Sequence, residues 1–289
     1  MATTKRRQKT TRAKPPRKPK ALTDPSPKLL LRALTEAALA AGKVLSRYHE
    51  RAFKVSEKDG AGLVTEVDLA SEKAAMRILK RARPDFTFLS EEASPKAARA
   101  PEGGRWILDP LDGTTNFVHG FPMFCVSIAA EWKGQILAGV VHAPILRDTY
   151  AAAKGLGARI NGKPMRVSKT TKLKDSLLTT GFTYRKDQWL RREMEAFERL
   201  SETARAIRRP GSAALDLAYV ARGVFDGFWE RRLSPWDVAA GLILVEEAGG
   251  RVTNFRDQDF DIHGREIIAT NGKLHSDLLK SVETDFCPI

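Results

Sequence analysis

Two cysteines, Cys125 and Cys287, in 289 residues are too few for a disulfide framework. No stretch approaches the ~18 consecutive apolar residues of a membrane span, and no apolar signal-peptide core follows the N-terminus. The expectation is a reducing cytoplasm and no membrane partner. Acids are absent from residues 1–20, and so are aromatics, although nine Lys/Arg (Lys5, Arg6, Arg7, Lys9, Arg12, Lys14, Arg17, Lys18, Lys20) crowd into that stretch. No internal repeat is visible. The 42% hydrophobic and 29% charged residues exclude collagen, coiled coil and wholesale disorder.

What is present divides in two. Lys plus Arg number 49 against 35 Asp plus Glu, a net +14, but removing the nine tail cations leaves 40 against 35, or +5. Residues 1–24 are rich in Lys, Arg, Thr and Pro and cannot bury enough apolar surface to offset their ordering entropy, so they read as a disordered basic tail. Such a tail can contact nucleic acid non-specifically through counterion release; it can equally be a solubilising extension. Without aromatics it offers no stacking platform for bases. Residues 25–289 read as the folded domain, an antiparallel half over about 25–170 and a βα half over about 171–289.

Leu30, Leu34, Ala37, Ala41, Leu45 and Tyr48 recur every three or four residues and predict a buried helix face. A second helix is expected over Leu69–Ala82, stopped by Pro84. Phe86–Leu89 and Trp106–Leu108 read as strands, the latter breaking into a turn at Asp109-Pro110-Leu111-Asp112-Gly113. From Cys125 to Val167, strand-like runs are punctuated by Lys133-Gly134, Lys154-Gly155 and Asn161-Gly162-Lys163, as in antiparallel hairpins. The second half alternates: strands at 176–180, 225–229, 251–254 and 267–270, helices at 189–206, 212–221 and 236–247. The fold class is mixed α/β (α+β).

A few acids stand in apolar, Gly-rich or Trp-rich contexts at element ends. Asp109 and Asp112 flank Pro110-Leu111, Glu91 ends the preceding strand, and Asp237 follows Pro235-Trp236 at a helix start. Clustered carboxylates repel, and burial opposes their ionisation; a hard divalent cation such as Mg2+ removes both costs. D-x-x-D-G alone is also a surface turn, and Asp237 alone is also a helix cap. Gly113-Thr114-Thr115-Asn116 offers backbone N–H groups for phosphate if a helix begins there.

The run Trp106-Ile107-Leu108-Asp109-Pro110-Leu111-Asp112-Gly113-Thr114-Thr115-Asn116-Phe117-Val118-His119-Gly120-Phe121-Pro122 closely resembles the first signature of the inositol monophosphatase family. Ser234-Pro235-Trp236-Asp237-Val238-Ala239-Ala240-Gly241, continuing to Glu247-Ala248-Gly249-Gly250, resembles its second. Leu63-Val64-Thr65-Glu66-Val67-Asp68 and Leu89-Ser90-Glu91-Glu92 match its upstream blocks in order and spacing. Arg208–Ala221 resembles the bacterial branch. The resemblance covers about residues 28–280 and leaves the tail outside.

The resemblance implies the layered αβαβα sandwich of the sugar-phosphatase (fructose-bisphosphatase/inositol monophosphatase) superfamily. It implies Mg2+-dependent hydrolysis of myo-inositol monophosphates to inositol and phosphate by metal-activated water. Glu91, Asp109, the Leu111 carbonyl, Asp112 and Asp237 would ligate two ions, Asp109 bridging; Gly62, where many relatives carry an acid, leaves a third ion open. Asp68 and Thr114 would assist the water. Gly113 and Thr114 would hold phosphate oxygens, and Gly211, Ser212, Ala213 and Glu230 the polyol. Members are commonly homodimers. Relatives with the same metal chemistry act on histidinol phosphate or fructose-1,6-bisphosphate, so these remain the rival substrates. Asp216 reads as an internal hydrogen-bonding residue, and Cys125 and the histidines as packing or surface residues.

Overall fold

The computed structural model of the chain describes residues 24–49, 51–58, 62–93, 103–182 and 187–282; the tail expected to be disordered lies outside them, apart from its last residue, Asp24. Helix α1, Pro27–Tyr48, begins with a proline in its first turn, where the missing N–H costs nothing. Its stripe Leu30, Leu34, Ala37, Ala41 and Leu45 is buried as the periodicity requires. A short antiparallel hairpin of β1 (Val55–Lys58) and β2 (Gly62–Thr65) leads into α2 (Glu66–Ala82).

A seven-stranded sheet follows, in sequence order: β3 (Thr87–Ser90), β4 (Gly104–Asp112), β5 (Cys125–Trp132), β6 (Gln135–Ala143), β7 (Asp148–Ala153), β8 (Ala158–Ile160) and β9 (Lys163–Pro164). Only the β3–β4 pair is parallel. The expected hairpin punctuation is real: Lys133-Gly134 and Asn161-Gly162 carry left-handed backbone at both residues, the conformation that matches strand twist in two-residue turns. Between β4 and β5 lies the short α3 (Thr114–Val118).

The second sheet is mixed. Its strands β10 (Leu177–Thr180), β11 (Ala206–Arg208), β12 (Gly227–Arg231), β13 (Arg251–Thr253) and β14 (Glu266–Thr270) run in the order β11-β10-β12-β14-β13. β10, β11 and β12 are parallel, and β14 inserts antiparallel between β12 and β13. Its helices are α4 (Gln188–Thr203), α5 (Ala213–Arg222), α6 (Pro235–Glu247) and α7 (His275–Val282).

The two sheets do not touch face to face. Helices α5 and α6 fill the space between them, and α6 is buried on every side from Val238 to Val245, as a helix between two sheets must be. Helices α1 and α2 cover the outer face of the seven-stranded sheet around Trp106, Leu108 and Val140. Helices α4 and α7 cover the outer face of the five-stranded sheet around Leu178, Trp229 and Ile268. This is the expected αβαβα layering.

Three local expectations are corrected. Residues Asp109–Asp112 are not a turn: β4 runs on through Pro110 to Asp112, with its pairing to β5 irregular between Asp109 and Asp112. A proline without an N–H is tolerated in a strand at such an irregularity. The helix expected to reach Ala206 stops at Thr203, because Ala206–Arg208 pairs in parallel with Leu177–Thr179. Helix α2 begins at Glu66, which places Asp68 inside its first turn rather than before it.

Candidate active site

Thr65 ends β2 and caps α2. Its hydroxyl accepts hydrogen bonds from the N–H groups of Val67 (3.1 Å) and Asp68 (3.4 Å) and donates to Asp68 Oδ2 at 2.6 Å. The Thr65 N–H donates to the same oxygen at 2.8 Å. This reciprocal capping box fixes a fully buried carboxylate in one orientation. Its other oxygen, Oδ1, lies 3.5 Å from the Thr114 hydroxyl, which also donates to the Leu111 carbonyl at 3.1 Å.

In a regular strand Asp109 and Asp112, three residues apart, would point to opposite faces. The irregularity in the β4–β5 ladder re-aims the chain between them. Both carboxylates are buried, and each acts electrostatically on the same neighbours. Asp109 Oδ1 accepts from the Leu111 N–H at 2.9 Å, and Ser71 on α2 donates to the Pro110 carbonyl at 2.8 Å. Asp112 Oδ2 accepts from the Ser212 hydroxyl (2.6 Å) and the Ala214 N–H (2.8 Å), and the Cys125 thiol lies 3.8 Å away. The start of α5 is therefore tied to the end of β4.

Asp237 sits in the first turn of α6, where its Oδ2 accepts from the Ser234 N–H at 2.7 Å and completes a second capping box. It is half-buried and hydrogen-bonded to Asp109. Glu91 follows β3, its N–H donating to the Leu108 carbonyl at 3.3 Å. Four elements thus deliver Asp68, Glu91, Asp109, Asp112 and Asp237 to one cleft.

The cleft is electrostatically uncomfortable. Burial pushes the Asp109 carboxyl well above the usual carboxylate range, and the charges of Glu91, Asp112 and Asp237 push it further. Asp237 is raised by burial, then by Asp112 and Glu91. Asp112 is raised by burial to about 6, against the pull of its Ser212 and Ala214 hydrogen bonds. Acceptor-only oxygens of one sign, held by backbone N–H groups, form a donor set that suits a hard divalent cation. Among the described residues, no three His, Cys, Asp or Glu side chains are closed into a metal cage; the cleft supplies oxygen donors along its walls.

Glu230, on β12, lies beside this cleft, with Asp237 among the charges that act on it. It is buried over Gly181, where any Cβ would fall inside its carboxylate. Burial raises it well above its ordinary range, as do Glu193, Asp216 and Asp237, while Arg209 opposes them. Gly211 has φ +88, and the Asn116 amide donates to the carbonyls of Pro210 (2.8 Å) and Met123 (2.6 Å). That side chain bridges the loop after β4 to the loop before Ser212 and Ala213. At Gly113, φ is +93 and a Cβ would lie 2.8 Å from the Met123 carbonyl, so only glycine fits the step from strand into α3.

Asp68 meets Thr114, Glu91 lies near Asp109, Asp112 and Asp237, Asp112 meets Ser212, and Glu230 lies near Asp237; Cys287 lies outside the described residues. Asp216 is buried on α5 with a hydrogen bond to Thr179 and its Oδ1 unpartnered. Reading the sequence gave no side-chain role to Thr65, Asn116 or Arg209, did not mark Gly181, and read Cys125 as a packing or surface residue. The T-x-x-D spacing before a helix was a usable signal for Thr65; Gly181 and Asn116 act through contacts with residues about 50 and 94 positions away, and no local pattern marks them.

A mixed five-layer α/β fold with a cleft lined by carboxylates from four elements suits the class of phosphomonoesterases that generally work with a metal ion. The sequence model of the inositol monophosphatase family matches residues 27–285. The inositol-1-monophosphatase of Synechocystis sp. is 42% identical over 253 residues, 87% of this chain and 88% of that one. The Nus factor SuhB of Pseudomonas aeruginosa is 41% identical over 265 residues, 90% of this chain and 97% of that one. The crystal structure of the extragenic suppressor protein SuhB from Bartonella henselae superposes with a TM-score of 0.82 at 38% identity, covering 89% of this chain and 99% of the other. The chain belongs to the inositol monophosphatase family, and it is a phosphatase. No helix among the described residues is long and apolar enough to cross a membrane.

Proposed function

We propose that the protein hydrolyses myo-inositol monophosphates to inositol and phosphate with Mg2+, acting in the cytoplasm as a homodimer. The observation that carries the reading is the convergence of carboxylates from α2, β3, β4 and α6 on one cleft, with Asp112 tied to the start of α5. Glu91, Asp109, the Leu111 carbonyl, Asp112 and Asp237 would hold the metal ions. Bound there, Mg2+ supplies an acidified water nucleophile and neutralises charge on the transferring phosphate and the departing oxygen.

The chain's own groups do the rest. The Thr114 hydroxyl orients the attacking water, and Asp68, fixed through Oδ2 by Thr65, receives the proton at Oδ1. The N–H groups of Gly113 and Thr114 bind phosphate oxygens. Gly211, Ser212 and Ala213 approach the polyol with small side chains, and Glu230 accepts two ring hydroxyls. No Ser/His or Cys/His pair is needed, and the buried Cys125 thiol, pushed up by burial, stays protonated.

Phosphate release from inositol-1-phosphate, histidinol phosphate and fructose-1,6-bisphosphate, with and without Mg2+, tests the reading. The inositol ester should have the highest kcat/KM. A value a hundredfold below either rival would reassign the substrate, and activity unaffected by chelator would remove the metal.

A second, non-enzymatic role is favoured by one feature: nine cations in residues 1–20, in a chain resembling a relative named a Nus factor. In this reading the tail contacts nucleic acid without sequence preference. Affinity for a single-stranded RNA should then fall steeply between 50 and 200 mM salt and vanish on removing residues 1–24, with phosphatase activity unchanged. Binding indifferent to that truncation would eliminate the role.

A further inference from the structure

The outer face formed by α1 and α2 lies on the far side of the seven-stranded sheet from α5 and α6, and nothing in the proposed chemistry uses it. It carries a groove of about 510 Å3 along the seam of the two helices. Leu39, Val44 and Ile78 supply apolar lining, and Lys43, Arg47 and Arg77 stand beside them with Glu36 as the one acid. Leu39 is 41% exposed, high for a leucine in a buried-face helix. Across the two helices, eight Lys/Arg are exposed against two glutamates, Glu36 and Glu66.

The groove cations are also unspent. Lys43, Arg47 and Arg77 have no carboxylate partner among the described residues. Exposed arginines on other layers do have one: Arg205 pairs with Asp175 and Arg222 with Asp148. An apolar strip edged by unpaired cations is complementary to an amphipathic helix with acidic flanks. The lining of α1 spans Glu36–Arg47, which at 1.5 Å per residue is about 16 Å, or three turns of a partner helix.

We propose that this groove docks an acidic amphipathic helix of another protein, its apolar stripe over Leu39, Val44 and Ile78 and its carboxylates toward Lys43, Arg47 and Arg77. The chain's own tail is repelled, since it has the same charge as the groove. Single-stranded nucleic acid is a poorer fit, because the lining has no aromatic ring on which bases could stack.

The test uses the full chain and a fluorescein-labelled 16-residue helical peptide with Leu at positions i, i+3, i+4 and i+7 and Glu elsewhere, against a scrambled peptide of identical composition. The basic tail does not distinguish the two, whereas the groove does. At 150 mM salt, the patterned peptide should bind at least tenfold more tightly than the scrambled one. Lys43→Glu/Arg47→Glu/Arg77→Glu should erase that difference, and Leu39→Asp should reduce it at least threefold, with phosphate release unchanged in both variants as the check on folding. Hydrogen exchange should slow over residues 36–47 and 74–78 when the patterned peptide binds. Equal binding of the two peptides, or a triple variant that still discriminates, overturns the proposal. So does a groove that prefers a uridine-rich RNA or phosphatidylserine vesicles to the patterned peptide and loses that binding in the triple variant.

Discussion

Asp109→Asn should lower phosphate release by about a thousandfold or more, roughly 4 kcal/mol of transition-state stabilisation, and yet raise the unfolding midpoint of the metal-free protein. Both effects come from one cause. Asp109 is buried, anchored by the Leu111 N–H, and surrounded by Glu91, Asp112 and Asp237. Its charge is therefore costly without a cation and most valuable with one. The pH dependence has a definite sign. Asp109, Asp112 and Asp237 are all raised in the folded state, so between the unfolded value near 4 and the folded values the native chain holds more protons than the unfolded chain. Stability of the chelated protein is therefore fully present below about pH 4 and is lost as pH rises through about 6, the Asp112 value. Asp112 alone accounts for at most about 3 kcal/mol of that slope. Mg2+ should reverse the loss in the wild type and far less in Asp109→Asn. Thermal unfolding in EDTA and in Mg2+ from pH 4 to 8 reads this directly. A variant with normal turnover, or one less stable than wild type in EDTA, would show that Asp109 is not a metal ligand.

Much of this site was legible because each part is written as a short local pattern. Asp109 and Asp112 lie in one run and Asp237 in another, and Asp109 and Asp237 are held by backbone N–H groups two and three residues away, whereas Asp112 is held by Ala214, 102 positions on. The mixed α/β class was legible from the alternation of periods; the layer order came only with the family resemblance. What local reading could not supply is the bend that makes the pattern work. Asp109-Pro110-Leu111-Asp112 carries every marker of a turn, yet stays in β4 because β5 pairs on both sides of it. Tertiary pairing likewise shortened α4 in favour of β11. The glycine beneath Glu230 and the amide of Asn116 act through contacts between residues far apart in the chain, where propensity carries no information. The basic α1–α2 face was read only as a buried stripe, since periodicity identifies what a helix hides and says nothing of what its other side presents.

Glu230→Gln should separate recognition from chemistry. The carboxylate is buried on β12 against Gly181. A carboxylate accepts two hydroxyls at once, whereas an amide accepts one and presents an unwanted donor to the other. The expected result is a loss of about a hundredfold in kcat/KM on inositol-1-phosphate, near 3 kcal/mol. On p-nitrophenyl phosphate, which has no ring hydroxyls, the change should stay within about threefold. Burial and the neighbouring Glu193, Asp216 and Asp237 raise the Glu230 carboxyl, so part of the population is protonated where an exposed glutamate would be fully ionised. The kcat/KM ratio between the two substrates should therefore rise with pH in the wild type as Glu230 ionises, and lie flat in the variant. Gly181→Ala, which forces the carboxylate aside without changing its charge, should reproduce the selective loss. Equal losses on both substrates would place Glu230 in the phosphate chemistry itself. No loss on either would leave it a buried acid with no part in recognition, and the polyol would have to be held by the Gly211–Ala213 loop alone.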